Sequence, residues 1–186
     1  MYDQFQFKKD CSNNICNTDL HLSSQPNYQS SDGALIIGTP DLSVDVSISK
    51  TRDPSYGSMF YMVVPSFLQY VRMETLLGEG ISCYMLAKGQ QGSHDVAFDW
   101  QEFLQRTNYS VNNDTEIIMQ CNFGNPMYSD QGVRMNIFFR LPDIIELESF
   151  KLVLFATTQS NEVFDLDNKA IIDIKLKHVY TTTLTG

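Results

Sequence analysis

A chain of 186 residues, 42% of them hydrophobic, can bury one real core and remove roughly two-thirds of its unfolded surface from water, so one domain, or one plus a fragment, is expected. The net charge of −9 and a sequence pI near 4.6, with Lys and Arg scattered along the chain, leave no basic stripe to displace counterions, which argues against nucleic acid as a partner. Every apolar run is broken well short of the roughly 20 residues that span a bilayer, and the opening lacks the apolar core of a secretory signal, so the chain reads as a soluble piece of something longer.

In chain order, the first strand signal lies at 18–23. The clearest follows at 42–48, where Leu42, Val44, Val46 and Ile48 alternate with Ser43, Asp45 and Ser47, one face for a core and one for water. Runs at 58–64, 67–73 and 81–87 are less regular but rich in β-branched and aromatic residues and bounded by turn formers.

Residues 88–115 break the pattern. They open with Lys88-Gly89-Gln90-Gln91-Gly92-Ser93, and Trp100, Phe103 and Leu104 then fall on one side at helical spacing, which admits a short surface helix. A loop of this length inside a compact domain is functional or mobile. Its aromatic residues either anchor a partner or, the favoured reading, pack back onto the fold.

Strand signals resume at 116–122. At 133–139, Val133, Met135, Ile137 and Phe139 alternate with Arg134 and Asn136; a run at 150–158 follows, and at 172–176 Ile172, Ile174 and Leu176 alternate with Asp173, Lys175 and Lys177. About nine short strands with turn signals between them predict an all-β, antiparallel, Ig-like β-sandwich. Leu42, Val44, Val46, Val133, Ile137, Leu152 and Leu154 are its expected core.

The four cysteines form an even set, Cys11 with Cys16 and Cys83 with Cys121, for which three pairings exist. The short spacing favours a local Cys11–Cys16 loop. Zinc is the rival reading, but paired CxxC knuckles are absent and no His lies near either pair. Two sequons, Asn108-Tyr109-Ser110 and Asn113-Asp114-Thr115, make Asn108 and Asn113 candidate glycosylation sites, and together with the cysteines they point to the secretory pathway.

Catalytic signatures are missing from the sequence. His21, His94 and His178 are spread along the chain, and none has a nucleophile and orienting partner nearby. Asp165-Leu166-Asp167-Asn168 alternates oxygens as a calcium loop does, but it lacks the Gly and terminal Glu of an EF-hand and reads as a turn. The chain is not expected to be an enzyme.

Two segments are more specific. Phe7-Lys8-Lys9-Asp10-Cys11-Ser12-Asn13-Asn14-Ile15-Cys16-Asn17-Thr18-Asp19-Leu20 resembles the integrin α pattern of a charged lead-in, a tight Cys loop and an Asp-Leu strand start. Cys121-Asn122-Phe123-Gly124-Asn125-Pro126-Met127 is similar to the Cys-Asp-Leu-Gly-Asn-Pro-Met block of the same subunits. Both belong there to calf-1, the first leg sandwich below the knee, and intervening blocks such as Asp53-Pro54-Ser55-Tyr56 and Ile81-Ser82-Cys83-Tyr84 follow in order, so the resemblance covers nearly the whole chain.

The resemblance implies a knee junction over 1–19 with a Cys11–Cys16 disulfide, a sandwich over 20–179, and the start of a linker to calf-2 at 180–186. It also implies a Cys83–Cys121 bridge between neighbouring strands, with 88–115 as an insertion where relatives have a short turn. A calcium ion at the knee would be held by the side chain of Asn14 or Asn13, the carbonyls of Cys11 and Ile15, and the carboxylate of Asp53, a set of oxygens suited to a hard cation. The loop departs from the family in being one residue shorter and in having Asn in place of an acidic ligand. The implied function is a rigid extracellular strut of a single-pass plasma-membrane adhesion and signalling receptor. Its partners would be an integrin β subunit and, through a headpiece absent from this chain, an extracellular matrix or cell-surface ligand. A secreted carbohydrate-binding or hydrolytic sandwich is the alternative.

Overall fold

The computed structural model describes residues 10–11, 15–27, 33–38, 42–86, 100–112, 114–123, 125–128, 132–143 and 145–178. Nine strands of five or more residues lie where the period-two and β-branched runs predict them. They are β1 (Asn17–Asn27), β3 (Leu42–Arg52), β4 (Met59–Pro65), β5 (Gln69–Leu77), β6 (Ser82–Leu86), β7 (Glu116–Asn122), β8 (Val133–Arg140), β9 (Ser149–Thr157) and β11 (Lys169–Lys177). Two strands of two residues each, β2 (Leu35–Ile36) and β10 (Asn161–Glu162), and the helix α1 (Trp100–Thr107) complete the described elements.

They form two sheets, ordered β10-β1-β3-β8-β5 and β2-β11-β9-β4-β7-β6. Every pairing between the longer strands is antiparallel; β10 beside β1 and β2 beside β11 are the parallel exceptions, both at sheet edges. Sequence patterning misses these two because two residues carry no period.

Alternation decides what meets in the middle. Leu42, Val44, Val46 and Ile48 face Val133, Met135, Ile137 and Phe139 in register across β3 and β8, and these side chains pack against Phe60, Met62, Leu152 and Leu154 of the other sheet. All seven residues expected in the core are buried there. Edge-to-face rings, Phe67 on Phe150 at 5.4 Å and Tyr70 on Phe139 at 6.4 Å, fill one margin of this layer.

The six-stranded sheet is unusual in being covered on both sides. Tyr61, Val63, Ile118, Val153 and Phe155 point away from the sandwich core, yet all are buried, because Phe103 of α1 and the following Tyr109 and Val111 lie over them. Phe103 meets Tyr61 edge-on at 5.1 Å and Phe155 at 6.1 Å. This is why Phe60-Tyr61-Met62-Val63-Val64 reads as an unbroken apolar run and not an alternating one.

The short helix expected near residue 100 is present, and Phe103 packs back onto the sheet. Leu104, placed on the same side by spacing, is half exposed. The side chain of Trp100 and residues 88–99 lie outside the described residues. Among those described, no helix is long and apolar enough to cross a membrane.

The cover assigns different weights to two neighbouring apolar residues. Phe103→Ala is expected to cost about 3 kcal/mol and Leu104→Ala less than about 0.5 kcal/mol, read from urea unfolding midpoints. Equal costs for the two would mean that α1 does not seal the sheet.

The cysteine-loop end of the sandwich

At one end of the sandwich four pieces of chain converge: the Cys11–Cys16 loop, the β3–β4 connection over 52–58, the segment at Asn125–Met127 and the β9–β10 turn. Cys11 and Cys16 are disulfide-bonded with Cα atoms 5.0 Å apart. Directly after the bridge, the Asn17 N–H donates to Asp53 Oδ2 at 3.0 Å, while the Asp53 N–H donates to the Asn17 carbonyl at 3.1 Å. Asn161 reaches the same spot from the other side, its N–H on the Cys16 carbonyl at 2.8 Å and its side-chain amide on Asn17 Oδ1 at 2.6 Å.

Lys50 holds the connection from beneath. Only 4% of this residue is exposed, and its ammonium donates to the carbonyls of Arg52 at 2.9 Å and Asp53 at 2.7 Å. A buried charge demands such partners. Arg52 turns the chain here with φ at 66°, a region that costs most non-glycine residues free energy, so the carbonyls it presents are held by more than local preference.

Beyond Pro54 the connection is stitched to two neighbours at once. Ser55 exchanges backbone hydrogen bonds with Met127 in both directions. Its hydroxyl lies 2.7 Å from that of Ser58 and donates to Thr158 Oγ1 at 2.8 Å. Thr158 Oγ1 donates in turn to the Tyr56 carbonyl, which also accepts the Gln159 N–H. The Tyr56 N–H goes to Ser160 Oγ at 3.0 Å, and its phenol oxygen accepts the Asp10 N–H at 3.3 Å. Asn125, preceding Pro126 through a cis peptide bond, accepts the Gly57 N–H on its Oδ1 at 3.2 Å.

The sequence-predicted site residues divide accordingly. Asp53 stands at the neck of the loop whose other proposed donors include the Cys11 and Ile15 carbonyls; Asn13 and Asn14 lie outside the described residues. A carboxylate at this neck fits a hard cation in kind, although among the described residues no three His, Cys, Asp or Glu side chains gather as a metal cluster. Asp165-Leu166-Asp167-Asn168 is a turn, closed by the Asn168 N–H on the Asp165 carbonyl.

Lys50, Tyr56, Thr158, Ser160 and Asn161 were not anticipated. Lys50 had a readable signal, because it continues the inward row of Leu42, Val44, Val46 and Ile48. Tyr56 lies in the quoted Asp53-Pro54-Ser55-Tyr56 block without a role assigned to it, and Thr158, Ser160 and Asn161 come from a segment more than 100 residues away in sequence and offered no signal.

A model of the family described as integrin alpha Ig-like domain 2 matches residues 11–176. The chain belongs to that family. Solved structures with similar outlines include a cohesin module from a Clostridium perfringens ATCC13124 family 33 glycoside hydrolase. It is 10% identical over 88% of this chain and 100% of its own, with a TM-score of 0.47. A collagen-binding domain from a Staphylococcus aureus adhesin is also 10% identical, over 83% of this chain and 97% of its own, with a TM-score of 0.38. No curated protein matches.

In this integrin α Ig-like domain the second disulfide, Cys83–Cys121, joins residues directly opposite one another on β6 and β7. It closes a loop of 38 residues, a constraint on the unfolded chain of about 4 kcal/mol. Asn108 caps α1 with its side chain exposed, while Asn113 lies outside the described residues. His21 pairs with Asp167 at 3.0 Å on the surface, His178 is exposed, and His94 lies outside the described residues.

Glu162 of β10 accepts the Leu20 N–H at 3.2 Å, tying the turn to β1. Burial raises its carboxyl above the usual range, against hydrogen bonds from Leu20, Asn168 and Phe164 that lower it, and the charge of Asp19 adds to the rise.

A carboxyl whose folded pKa is raised contributes stability below its unfolded pKa and loses it as pH climbs through the folded value. Glu162→Gln should therefore gain most relative to the native chain at pH 7 and least near pH 4.5, compared by thermal melts across that range; a gain independent of pH would exclude titration of Glu162 as its source. Lys50→Met, which strips the buried ammonium from the carbonyls of Arg52 and Asp53, is expected to cost about 2 kcal/mol in urea unfolding. A near-neutral result would show that those carbonyls find other partners.

Proposed function

We propose that this domain is the calf-1 leg segment of an integrin α subunit, standing extracellularly in a single-pass plasma-membrane receptor that pairs with a β subunit. The observation that carries this reading is the meeting of the two family-like segments. The Cys11–Cys16 loop and the Asn125-Pro126-Met127 block lie far apart in sequence, yet both close on the 53–58 connection at the same end of the sandwich. A single job for that end would account for both segments closing on it.

The job is mechanical. A loop shut by a disulfide and hydrogen-bonded to two turns moves only with the sandwich, so the domain hands displacement from one neighbour to the next without deforming. It transmits position in adhesion and signalling, and ligand recognition belongs to a headpiece outside this chain. Calcium at the loop, with Asp53 as its carboxylate and Asn13 or Asn14 and the Cys11 and Ile15 carbonyls as neutral donors, would stiffen the junction further.

Capture of the parent chain from cells should bring an integrin β subunit with it, and Cys11→Ser with Cys16→Ser should change the proportion of bent and extended receptors seen by electron microscopy. Failure of the β subunit to copurify would sink the leg reading. For the ion, calcium should raise the melting temperature of a chain that includes the preceding domain, and Asp53→Ala should abolish the rise; the absence of any calcium effect in the native chain would remove the site.

A further inference from the structure

Beside α1 the outer cover of the six-stranded sheet is cut by a groove of about 530 Å³. Gln105 in the last turn of the helix and Asn108 just after it form one wall, Phe155 to Thr158 at and just past the end of β9 form the floor, and Leu166 and Lys169 form the far wall. Its size lies within the range of about 300–1,000 Å³ that small-ligand sites occupy.

The lining suits an uncharged, hydroxyl-rich occupant. Arg106 and Lys169 are balanced by Glu162 and Asp165, and Arg106 is already paired with Glu102 at 2.5 Å. The Lys169 ammonium lies 5.3 Å from the Phe155 ring centre and 6.0 Å from that of Tyr109. Leu166, 77% exposed, offers an apolar surface beside these polar groups. That mixture matches the two faces of a sugar ring.

Asn108 supplies the tether. It opens the sequon Asn108-Tyr109-Ser110 at the lip of the groove, with its side chain and Ser110 both exposed. Its backbone is pinned in the left-handed region at φ 49°, its N–H on the Leu104 carbonyl at 2.9 Å. Tyr109 is fixed by the Phe155 ring at 5.7 Å and by its hydroxyl, which donates to Glu116 at 2.9 Å. A sugar attached here starts from a fixed point and meets the groove at high effective concentration, so weak contacts suffice to seat it.

We propose that Asn108 carries an N-linked glycan whose first sugars lie in the groove between α1 and the turn before β11. This rests on the secretory placement proposed above. In the modifying step the Asn108 amide nitrogen displaces a lipid diphosphate from the anomeric carbon of a lipid-linked oligosaccharide. A nitrogen–carbon bond forms, the carbon–oxygen bond to the diphosphate breaks, and the amide gives up one proton.

The test is to secrete the chain from cultured animal cells, map Asn108 by glycopeptide mass spectrometry, and compare acylation of Lys169 by an amine-reactive ester with that in Ser110→Ala, which receives no glycan at this site. Lys151, on the same sheet with its side chain 69% exposed, is the internal reference. Lys169 should label several-fold more slowly in the glycosylated chain while Lys151 labels equally in both. Asn108→Asp, whose side chain tolerates the left-handed cap, serves if Ser110→Ala folds poorly. A secreted chain with bare Asn108 overturns the proposal, and an occupied Asn108 with equal Lys169 labelling overturns the seat. Retention in the cell with free thiols overturns the secretory placement instead, a failure that thiol titration tells apart.

Discussion

Backbone groups that leave a strand still need partners once buried, and the 52–58 connection is where this sandwich meets that demand most heavily. Lys50 takes the carbonyls of Arg52 and Asp53, Asn17 takes both backbone and side chain of Asp53, Met127 pairs with Ser55, and the 158–160 turn takes Tyr56. The start of β1, the end of β3, the chain after β7 and the end of β9 become one unit through these bonds. Polar networks of this kind are worth keeping only when each member is satisfied, since a lost partner leaves buried groups exposed to their full desolvation cost.

The same economy governs the far side of the six-stranded sheet. A sandwich needs only one apolar face per sheet, and the outer face of β4 and β9 would otherwise present Tyr61, Val63, Val153 and Phe155 to water. The segment carrying α1 removes that patch. Its polar residues then meet solvent, which places Asn108 and the groove on a surface that the helix itself creates. A segment that covers apolar sheet in this way is part of the fold's stability and not an appendage.

The long strands were legible because burial on one face writes a period of two into the sequence, and Leu42 to Ile48 and Val133 to Phe139 carry it without a break. β4 was legible only as apolar, since cover on both faces erases the alternation. The disulfide at Cys83 and Cys121 became certain only when β6 and β7 set the two residues opposite each other. The cysteine-loop end was half legible. Asp53 and the loop could be named from family likeness, and Lys50 betrayed itself as a charge in an inward row, but Thr158, Ser160 and Asn161 act through contacts that sequence spacing does not encode.

Where this domain yields under load follows from where its bonds stop. Cys16 is buried, its carbonyl is held by Asn161, and the strand that begins at the next residue pairs with β3 from Thr18 to Asn27. The disulfide extends that hold backward to Cys11, which is tied covalently to the residue just before β1. A displacement applied at Cys11 therefore passes into the sandwich through the disulfide and through the Asn17–Asp53 bonds. A close-packed core does not absorb such a displacement, because its side chains have no voids to move into, and so the two sheets follow that end of the sandwich together.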